Sequence, residues 1–73
     1  MHTILITGAG TGIGAATARK LSGLENTRLL LVGRRYSPLE KLIETLDNKE
    51  LHSIYSIDIS DVDAIKNLLA SES

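Results

Sequence analysis

Cysteine is absent from this chain of 73 residues, and proline occurs only once. Without cysteine the chain can form neither a disulfide nor a cysteine-ligated zinc site, and it has no thiolate nucleophile. The net charge is only −1, so charge gives no reason to expect binding to nucleic acid or to an anionic membrane. The sequence also lacks an apolar run long enough to cross a bilayer and a secretory signal at its N-terminus, and we predict a cytoplasmic protein.

The composition that remains is that of one small globular domain. Hydrophobic residues make up 42% of the sequence, which is ordinary for a folded protein and argues against disorder. No linker, internal repeat or low-complexity segment divides the chain, and only Ser71-Glu72-Ser73 forms a short polar end. We therefore expect a single domain over residues 1–73, with no second domain.

Three short apolar segments have the length and the bounding residues of strands. They are His2 to Thr7, Thr27 to Val32 and the weaker His52 to Ile57. The second is apolar enough to be buried on both faces of a sheet. Segments with helical spacing follow each of them, so the predicted order is β-α-β-α-β-α, which favours a parallel sheet with helices on its faces.

The helices are predicted from apolar stripes and from capping residues. The first covers about residues 12 to 23. The second begins at Ser37-Pro38-Leu39-Glu40, with Ser37 as its cap, Pro38 in its first position and Glu40 completing a capping box. Ser60 is expected to cap the third, ahead of two aspartates that favour its N-terminal dipole. The predicted buried stripes are Ile13, Ala16, Thr17, Leu21 and Leu24; Leu39, Leu42, Ile43 and Leu46; and Val62, Ile65, Leu68 and Leu69.

Glycine is concentrated directly after the first strand, in the segment TGAGTGIG over residues 7–14. A phosphate can reach the free N–H groups of a helix N-terminus only where no side chain stands in the way. Gly8 would allow the turn out of the strand, Gly12 the approach of a pyrophosphate, and Gly14 the close packing of the helix on the sheet. The P-loop and Gly-x-Gly-x-x-Gly spacings do not fit, whereas Thr-Gly-x-x-x-Gly-x-Gly does. The alternative is a glycine-rich turn that only connects two elements.

This segment, placed after an N-terminal apolar strand, resembles the cofactor motif of the short-chain dehydrogenases/reductases. The resemblance covers the whole chain, because all three β-α units fall where the family has them. It implies a Rossmann-like, doubly wound parallel sheet of which only the first three β-α units are present, the N-terminal half of an NAD(P)-binding domain. The motif residues expected at the cofactor are Gly8, Gly10, Thr11, Gly12, Ile13 and Gly14.

The end of the second strand bears on the choice between NAD and NADP. An acid that binds the adenosine ribose is expected about 20 residues after the glycines, and here Gly33 occupies that position, with no carboxylate within five residues. Arg34 and Arg35 follow at once, and a guanidinium can bind a 2′-phosphate through paired hydrogen bonds. We therefore predict NADP(H) in preference to NAD, with Arg34 as the first choice for the phosphate contact, Arg35 as the second, and Thr11 as a further hydroxyl contact. The alternative is a solvated Arg-Arg turn.

Asp58 and Ile59 follow the third strand, at the end of the segment SIDIS. The resemblance implies that an aspartate followed by an apolar residue at this place binds the adenine, with the carboxylate accepting from the adenine amino group. The alternative is that Asp58 only begins the turn before the third helix.

The resemblance also implies catalytic residues that this chain does not contain. The family uses a tyrosine with a lysine four residues later, a serine that orients the substrate and an Asn-Ala-Gly motif. Neither Tyr36 nor Tyr55 has a lysine at that spacing, so we expect no catalytic residue here. Tyr36 is expected at the rim of the adenosine site and Tyr55 against a helix. His2 and His52 are interpreted as strand-end residues rather than as metal ligands.

Three functions follow from these patterns. The first is an NADP(H)-dependent oxidoreductase of short-chain type that acts on a small carbonyl or alcohol substrate as a homo-oligomer, with this chain as its adenosine-phosphate-binding N-terminal segment. The second is a non-catalytic nucleotide-binding or regulatory module. The third is a small interaction protein that uses the exposed edge of strand one, which a sheet of order 3-2-1 leaves unpaired.

Overall fold

A computed structural model describes residues 1–72 of the chain. Strands and helices alternate in the predicted order, with a short 3-10 turn at Lys49–Leu51 before the third strand. The strands are β1 (His2–Thr7), β2 (Thr27–Gly33) and β3 (Ser53–Ser56), and the helices are α1 (Gly12–Ser22), α2 (Tyr36–Ile43) and α3 (Val62–Ser71). The predicted bounds of β1 are confirmed, whereas β2 is one residue longer and β3 one residue shorter at each end.

The three strands form one parallel sheet in the order β1-β2-β3. The central position of β2 explains its continuous apolar run, because Leu29 to Val32 are at most 2% exposed. Within residues 1–72, β1 pairs on one side only, as predicted for a sheet of this order. The Rossmann-like β-α-β-α-β-α arrangement is therefore confirmed.

The helices divide between the two faces of the sheet. Leu29 and Leu31 pack in one core cluster with buried residues of α1 and α2. Because side chains alternate along a strand, Arg28 lies on the other face, and its guanidinium pairs with Glu72 at the end of α3. Thus α1 and α2 cover one face and α3 the other, as in a doubly wound sheet. None of the helices in residues 1–72 is long and apolar enough to cross a membrane.

The predicted buried stripe of α1 was wrong except at Leu21, which is half-buried against the core. Its buried residues are Ala15, Ala18 and Ser22, whereas Ile13 is 86% exposed and Leu24 51% exposed. The helix presents its smallest side chains to the sheet, which lets the two backbones approach closely. The remaining members of the predicted stripe are Ala16 and Thr17, both exposed, and Leu21, which is half-buried.

The predicted start of α2 was also wrong, although its apolar stripe was right. Arg35 is the N-cap residue and no side chain caps the helix, so Ser37 lies inside the first turn and Pro38 in its third position. Proline is tolerated there because the first N–H groups of a helix have no partner within it. The stripe is buried or half-buried as predicted, over Leu39, Leu42, Ile43 and Leu46.

At α3 the cap and half of the predicted buried face differ from the structure. Asp61, not Ser60, caps the helix, and its carboxylate accepts from the backbone N–H of Ala64 at 3.0 Å. Only Leu68 of the predicted face is buried, while Val62 and Leu69 are 60% and 48% exposed. Within residues 1–72, α3 is the only helix on its face of the sheet, so no neighbouring helix covers the outer part of its stripe. The remaining member of that stripe, Ile65, is half-buried.

The predicted polar end of the chain includes a structural contact. Glu72 forms an ion pair with Arg28 and accepts a hydrogen bond from the hydroxyl of Tyr55 at 2.9 Å. The guanidinium and the Tyr55 hydroxyl lower the pKa of Glu72, while burial and the same bond raise the pKa of Tyr55. Tyr55 thus faces the end of α3, as predicted. Ser73, the last residue of that predicted end, lies outside the described residues.

His52 holds the N-terminal parts of β2 and β3 together. The residue is 6% exposed, the backbone N–H of Leu29 donates to Nδ1 at 3.0 Å, and Nε2 lies 2.8 Å from the carbonyl oxygen of Asp47. Nδ1 therefore carries no proton, and Nε2 donates. His52 was predicted as the first residue of the third strand, but it lies one residue before β3. Its ring accepts from Leu29 just before the first paired residue of β3, Ser53.

We expect His52→Ala to lower the free energy of unfolding by about 2 kcal/mol, because it leaves the buried N–H of Leu29 without its partner. Urea denaturation measures this change, and His2→Ala at the exposed N-terminal end of β1 is the matched control, expected within about 0.5 kcal/mol of the wild type. Equal destabilisation by the two variants would contradict the prediction.

Candidate cofactor-binding site

The glycine loop between β1 and α1 has a backbone that only glycine adopts without strain. Gly8 has a φ of +65° and Gly12 a φ of +26°. A Cβ atom on either residue would meet no other atom within 4 Å, so the space beside both is open. The chain thus turns sharply out of β1 and leaves its backbone accessible from outside.

Gly14 is required for a different reason, which is the contact between α1 and the loop. A Cβ atom on Gly14 would lie 2.2 Å from the carbonyl oxygen of Gly8 and 2.8 Å from its carbonyl carbon. Both are backbone atoms, so no side-chain rotation could relieve the clash. The structure therefore requires a residue without a side chain at the first turn of α1.

The N-terminus of α1 is held by the loop itself. Thr11 is its N-cap residue, with no side-chain capping bond, and both its backbone N–H and its hydroxyl lie 3.3 Å from the carbonyl oxygen of Gly8. The first turn contains no acidic residue. The positive end of the helix dipole is therefore free of a competing carboxylate from its own first turn, which suits an anion.

The turn after β2 is fixed by β3. The backbone N–H of Ile57 donates to the carbonyl oxygen of Gly33 at 2.9 Å. The hydroxyl of Ser56 donates to the carbonyl oxygen of Arg34 at 3.0 Å. The side chains of Arg34 and Arg35 are exposed. The backbone of Gly33 and Arg34 is thus held by β3 while both guanidinium groups remain available to a ligand.

The glycine loop and this turn line one cavity of about 430 Å³ at the carboxyl ends of β1 and β2. Its lining residues are Gly8, Gly10, Thr11, Gly33, Arg34, Arg35 and Pro38. A second cavity of about 310 Å³ shares three of them and extends towards the end of β3. Its lining residues are Thr7, Gly8, Val32, Gly33, Arg34, Ile57 and Ile59.

Four of the residues predicted for the site line neither of these cavities. Gly12, Ile13 and Gly14 lie at the start of α1, and the Ile13 side chain projects away from the core. Asp58 is turned towards Ser60, whose backbone N–H and hydroxyl donate to one carboxylate oxygen at 2.9 and 2.8 Å. These two bonds, and then the charge of Arg34, lower the pKa of Asp58.

Asp58 therefore has the turn-forming role that the sequence left as the alternative, and its contact with adenine stays a prediction.

Tyr36 directly follows the two arginines that line the first cavity. It is the first residue of α2 and is 53% exposed. Within residues 1–72 there is no group of three histidine, cysteine or acidic side chains that could hold a metal ion.

Pro38 is the lining residue that sequence reasoning assigned to another role. Its position before an apolar stripe is typical of a helix start. That local signal does not predict its close approach to Gly10, which lies 28 residues earlier in the chain. The signal that could have indicated it is Gly10 itself, a glycine outside the three fixed positions of the motif.

The family model described as short chain dehydrogenase matches residues 2–72. Among curated proteins, the NADP-dependent 3-hydroxy acid dehydrogenase of Schizosaccharomyces pombe is 37% identical over 71 residues, covering 94% of this chain and 27% of that protein. The serine 3-dehydrogenase of Agrobacterium fabrum is 44% identical over 69 residues, covering 94% of this chain and 26% of that protein.

A solved structure, that of the citronellol catabolism dehydrogenase of Pseudomonas aeruginosa PAO1, matches with a TM-score of 0.82 at 37% identity. That match covers 96% of this chain and 29% of the other. The chain therefore spans about a quarter of the length of the curated relatives it matches.

Proposed function

The chain belongs to the short-chain dehydrogenase family, and on that premise we propose that it is the adenosine-phosphate-binding segment of an NADP(H)-dependent oxidoreductase. One observation carries the proposal: the glycine loop and both arginines line the same cavity. A dinucleotide has a pyrophosphate and, in NADP, a 2′-phosphate, and this cavity offers a separate feature for each.

The residues present fit such a cofactor. Gly8 and Gly12 leave open space where side chains would stand, beside a helix N-terminus with no acid in its first turn. We assign the pyrophosphate to this loop and the 2′-phosphate to Arg34, with Arg35 and the Thr11 hydroxyl as further contacts. Ile59 lines the adjoining cavity, where we place the adenine, next to Asp58.

The preference for NADP over NAD rests on the residue that ends β2. A carboxylate there would accept from the ribose hydroxyls of NAD and repel a 2′-phosphate, whereas Gly33 offers no charge and two cationic side chains follow it. The name of the related protein from Schizosaccharomyces pombe, which is NADP-dependent, agrees with this preference.

The reaction belongs to the proposal as well. When bound, a nicotinamide dinucleotide supplies or accepts a hydride. The substrate would be a small carbonyl or alcohol compound, and we propose that the whole protein works as a homo-oligomer. The contribution of residues 1–72 is to bind and orient the adenosine end of the cofactor.

A matched pair of ligands tests the proposal. Adenosine 2′,5′-bisphosphate and adenosine 5′-monophosphate differ only in the 2′-phosphate, and calorimetric titration of the protein as its gene encodes it measures both. We expect the bisphosphate to bind about 10-fold more tightly or better, since a charge-assisted hydrogen bond contributes about 1.5–3 kcal/mol. The preference should shrink as salt is raised.

A protein that unfolds cooperatively on heating but binds the two ligands equally would refute the NADP preference. A folded protein that binds neither ligand would refute the cofactor site altogether.

A further inference from the structure

We infer that Pro38 is a positioning residue, which by packing on Gly10 sets the distance between the glycine loop and the arginine pair and thereby the affinity for a 2′-phosphate. The inference rests on the proposed function and adds to it a contact between two segments that are separate in sequence.

Gly10 is a glycine for a reason different from that of Gly8 and Gly12. The φ angle of Gly10 is not positive, so a residue with a side chain can adopt the same backbone conformation. A Cβ atom on Gly10 would instead lie 3.0 Å from Cβ of Pro38, with Cδ2 of Leu39 at 3.8 Å. Carbon atoms pack best at about 3.5–4.0 Å, so even an alanine at this position would force α2 or the loop to move.

Pro38 cannot yield as a flexible side chain would. Its ring fixes the backbone φ, and its Cβ is attached directly to the first turn of α2. The next residue, Leu39, is fully buried in the core, so α2 is anchored one residue beyond the contact. The strain that an added Cβ atom on Gly10 would introduce must therefore be absorbed by the first turn of α2 or by the glycine loop.

The first turn of α2 is continuous with the arginine pair. Arg35 is its N-cap residue and Arg34 precedes it. Gly10, Pro38 and both arginines line the same cavity. A ligand that must reach the loop with one phosphate and the arginines with another requires a fixed spacing between them. The backbone N–H of Ala9 donates to the carbonyl oxygen of Val32 at 3.1 Å and ties the loop to the end of β2. The close approach of Gly10 to Pro38 adds a second link, from the loop to the first turn of α2.

The test compares two affinities in each variant, those for adenosine 2′,5′-bisphosphate and for adenosine 5′-monophosphate. Gly10→Ala is expected to lower their ratio about fivefold or more. The new Cβ atom forces a shift of a few tenths of an ångström, and a misplacement of about 1 Å can cost about 100-fold. A general loss of stability would lower both affinities together and leave the ratio unchanged. Thermal unfolding of each variant provides the readout of folding.

Two second-site variants separate the contact from other effects. Pro38→Gly removes the Cβ atom that Gly10→Ala would meet, so the double variant should recover the wild-type ratio within about twofold. Pro38→Ala keeps that Cβ atom and is the matched control, which should not restore the ratio when combined with Gly10→Ala. Equal rescue by both, or by neither, would overturn the inference.

Pro38→Gly alone keeps the inference testable where Gly10→Ala does not fold. It removes the contact without adding an atom, and we expect it to lower the ratio about twofold or more while Pro38→Ala leaves it unchanged. An unchanged ratio in folded Pro38→Gly overturns the inference. A wild-type ratio near one defeats the proposed NADP preference, whereas a large wild-type ratio that no variant alters defeats this inference alone.

Discussion

Gly14→Ala is expected to destabilise the fold by about 3 kcal/mol or more, because an added methyl group would overlap the backbone of the glycine loop. The carbonyl oxygen of Gly8 would lie 2.2 Å from the new carbon, and the same oxygen accepts from Thr11. Relief requires α1 to move away from the loop or the loop to lose its turn. For a chain of this size the expected loss is a large part of the total stability.

Urea denaturation followed by circular dichroism measures this effect, and Gly23→Ala is the matched control. Gly23 lies at the other end of α1 with a φ of −82°, and its Cβ would approach only a carboxylate oxygen of Asp47, at 3.2 Å. That oxygen is the end of a flexible side chain, so we expect a change within about 0.5 kcal/mol. If both variants unfolded at the same urea concentration, close packing at Gly14 would not be what the fold requires.

The contrast between Gly14 and Ile13 indicates how far the sequence predicts this fold. The glycine spacing is a local signal with few structural solutions, and it correctly indicates a turn followed by a closely packed helix. The apolar residue beside it was placed in the core by periodicity, yet it is exposed. The periodicity of apolar residues predicts the helix. Which face of the helix is buried depends on how closely its backbone approaches the sheet.

The exact start of a helix is likewise not predicted by the local sequence alone. Ser37 and Ser60 are good capping residues by type, but Arg35 and Asp61 occupy the N-cap positions. A cap is decided within one or two residues by where the preceding turn ends. At α2 that turn is fixed by bonds from β3, which the local sequence does not contain.

The candidate site divides along similar lines. The sequence predicts the loop and the arginine pair because both lie at strand ends, and carboxyl ends of parallel strands meet at one edge of a sheet. The packing of Pro38 on Gly10 could not be predicted, because the two residues lie far apart in the chain and no periodic pattern connects them. The bond of Tyr55 to Glu72 is likewise a tertiary contact, absent from any local pattern.

Arg34→Asp is expected to weaken NADPH binding about 100-fold while changing NADH binding by less than about threefold. The substitution removes a guanidinium that we assign to the 2′-phosphate and places a carboxylate at the same point, so attraction is replaced by repulsion. The backbone of residue 34 is held by the hydroxyl of Ser56, which binds its carbonyl oxygen and not its side chain. The turn should therefore keep its shape, and the glycine loop should keep the contacts with the pyrophosphate that we propose for it.

Lys66→Asp is the matched control for this reversal of charge. Lys66 is an exposed residue of α3, on the face of the sheet opposite α1 and α2, and its replacement changes the net charge by the same amount. Arg35→Asp, in the same turn, is expected to weaken NADPH binding by about 10-fold, a smaller loss than at Arg34. Fluorescence titration with both dinucleotides, at low and at high salt, gives all the affinities required.

The ratio of the two dinucleotide affinities separates the possible roles of the arginine pair. A loss confined to NADPH, larger at Arg34 than at Arg35, is the result that a direct contact with the 2′-phosphate requires. A similar loss in Lys66→Asp would mean that the overall field of the protein attracts the cofactor, since such a field acts from any exposed position and fades with salt. An equal loss of affinity for NADPH and NADH in Arg34→Asp would instead indicate that Arg34 contacts the pyrophosphate, because that group is common to both dinucleotides.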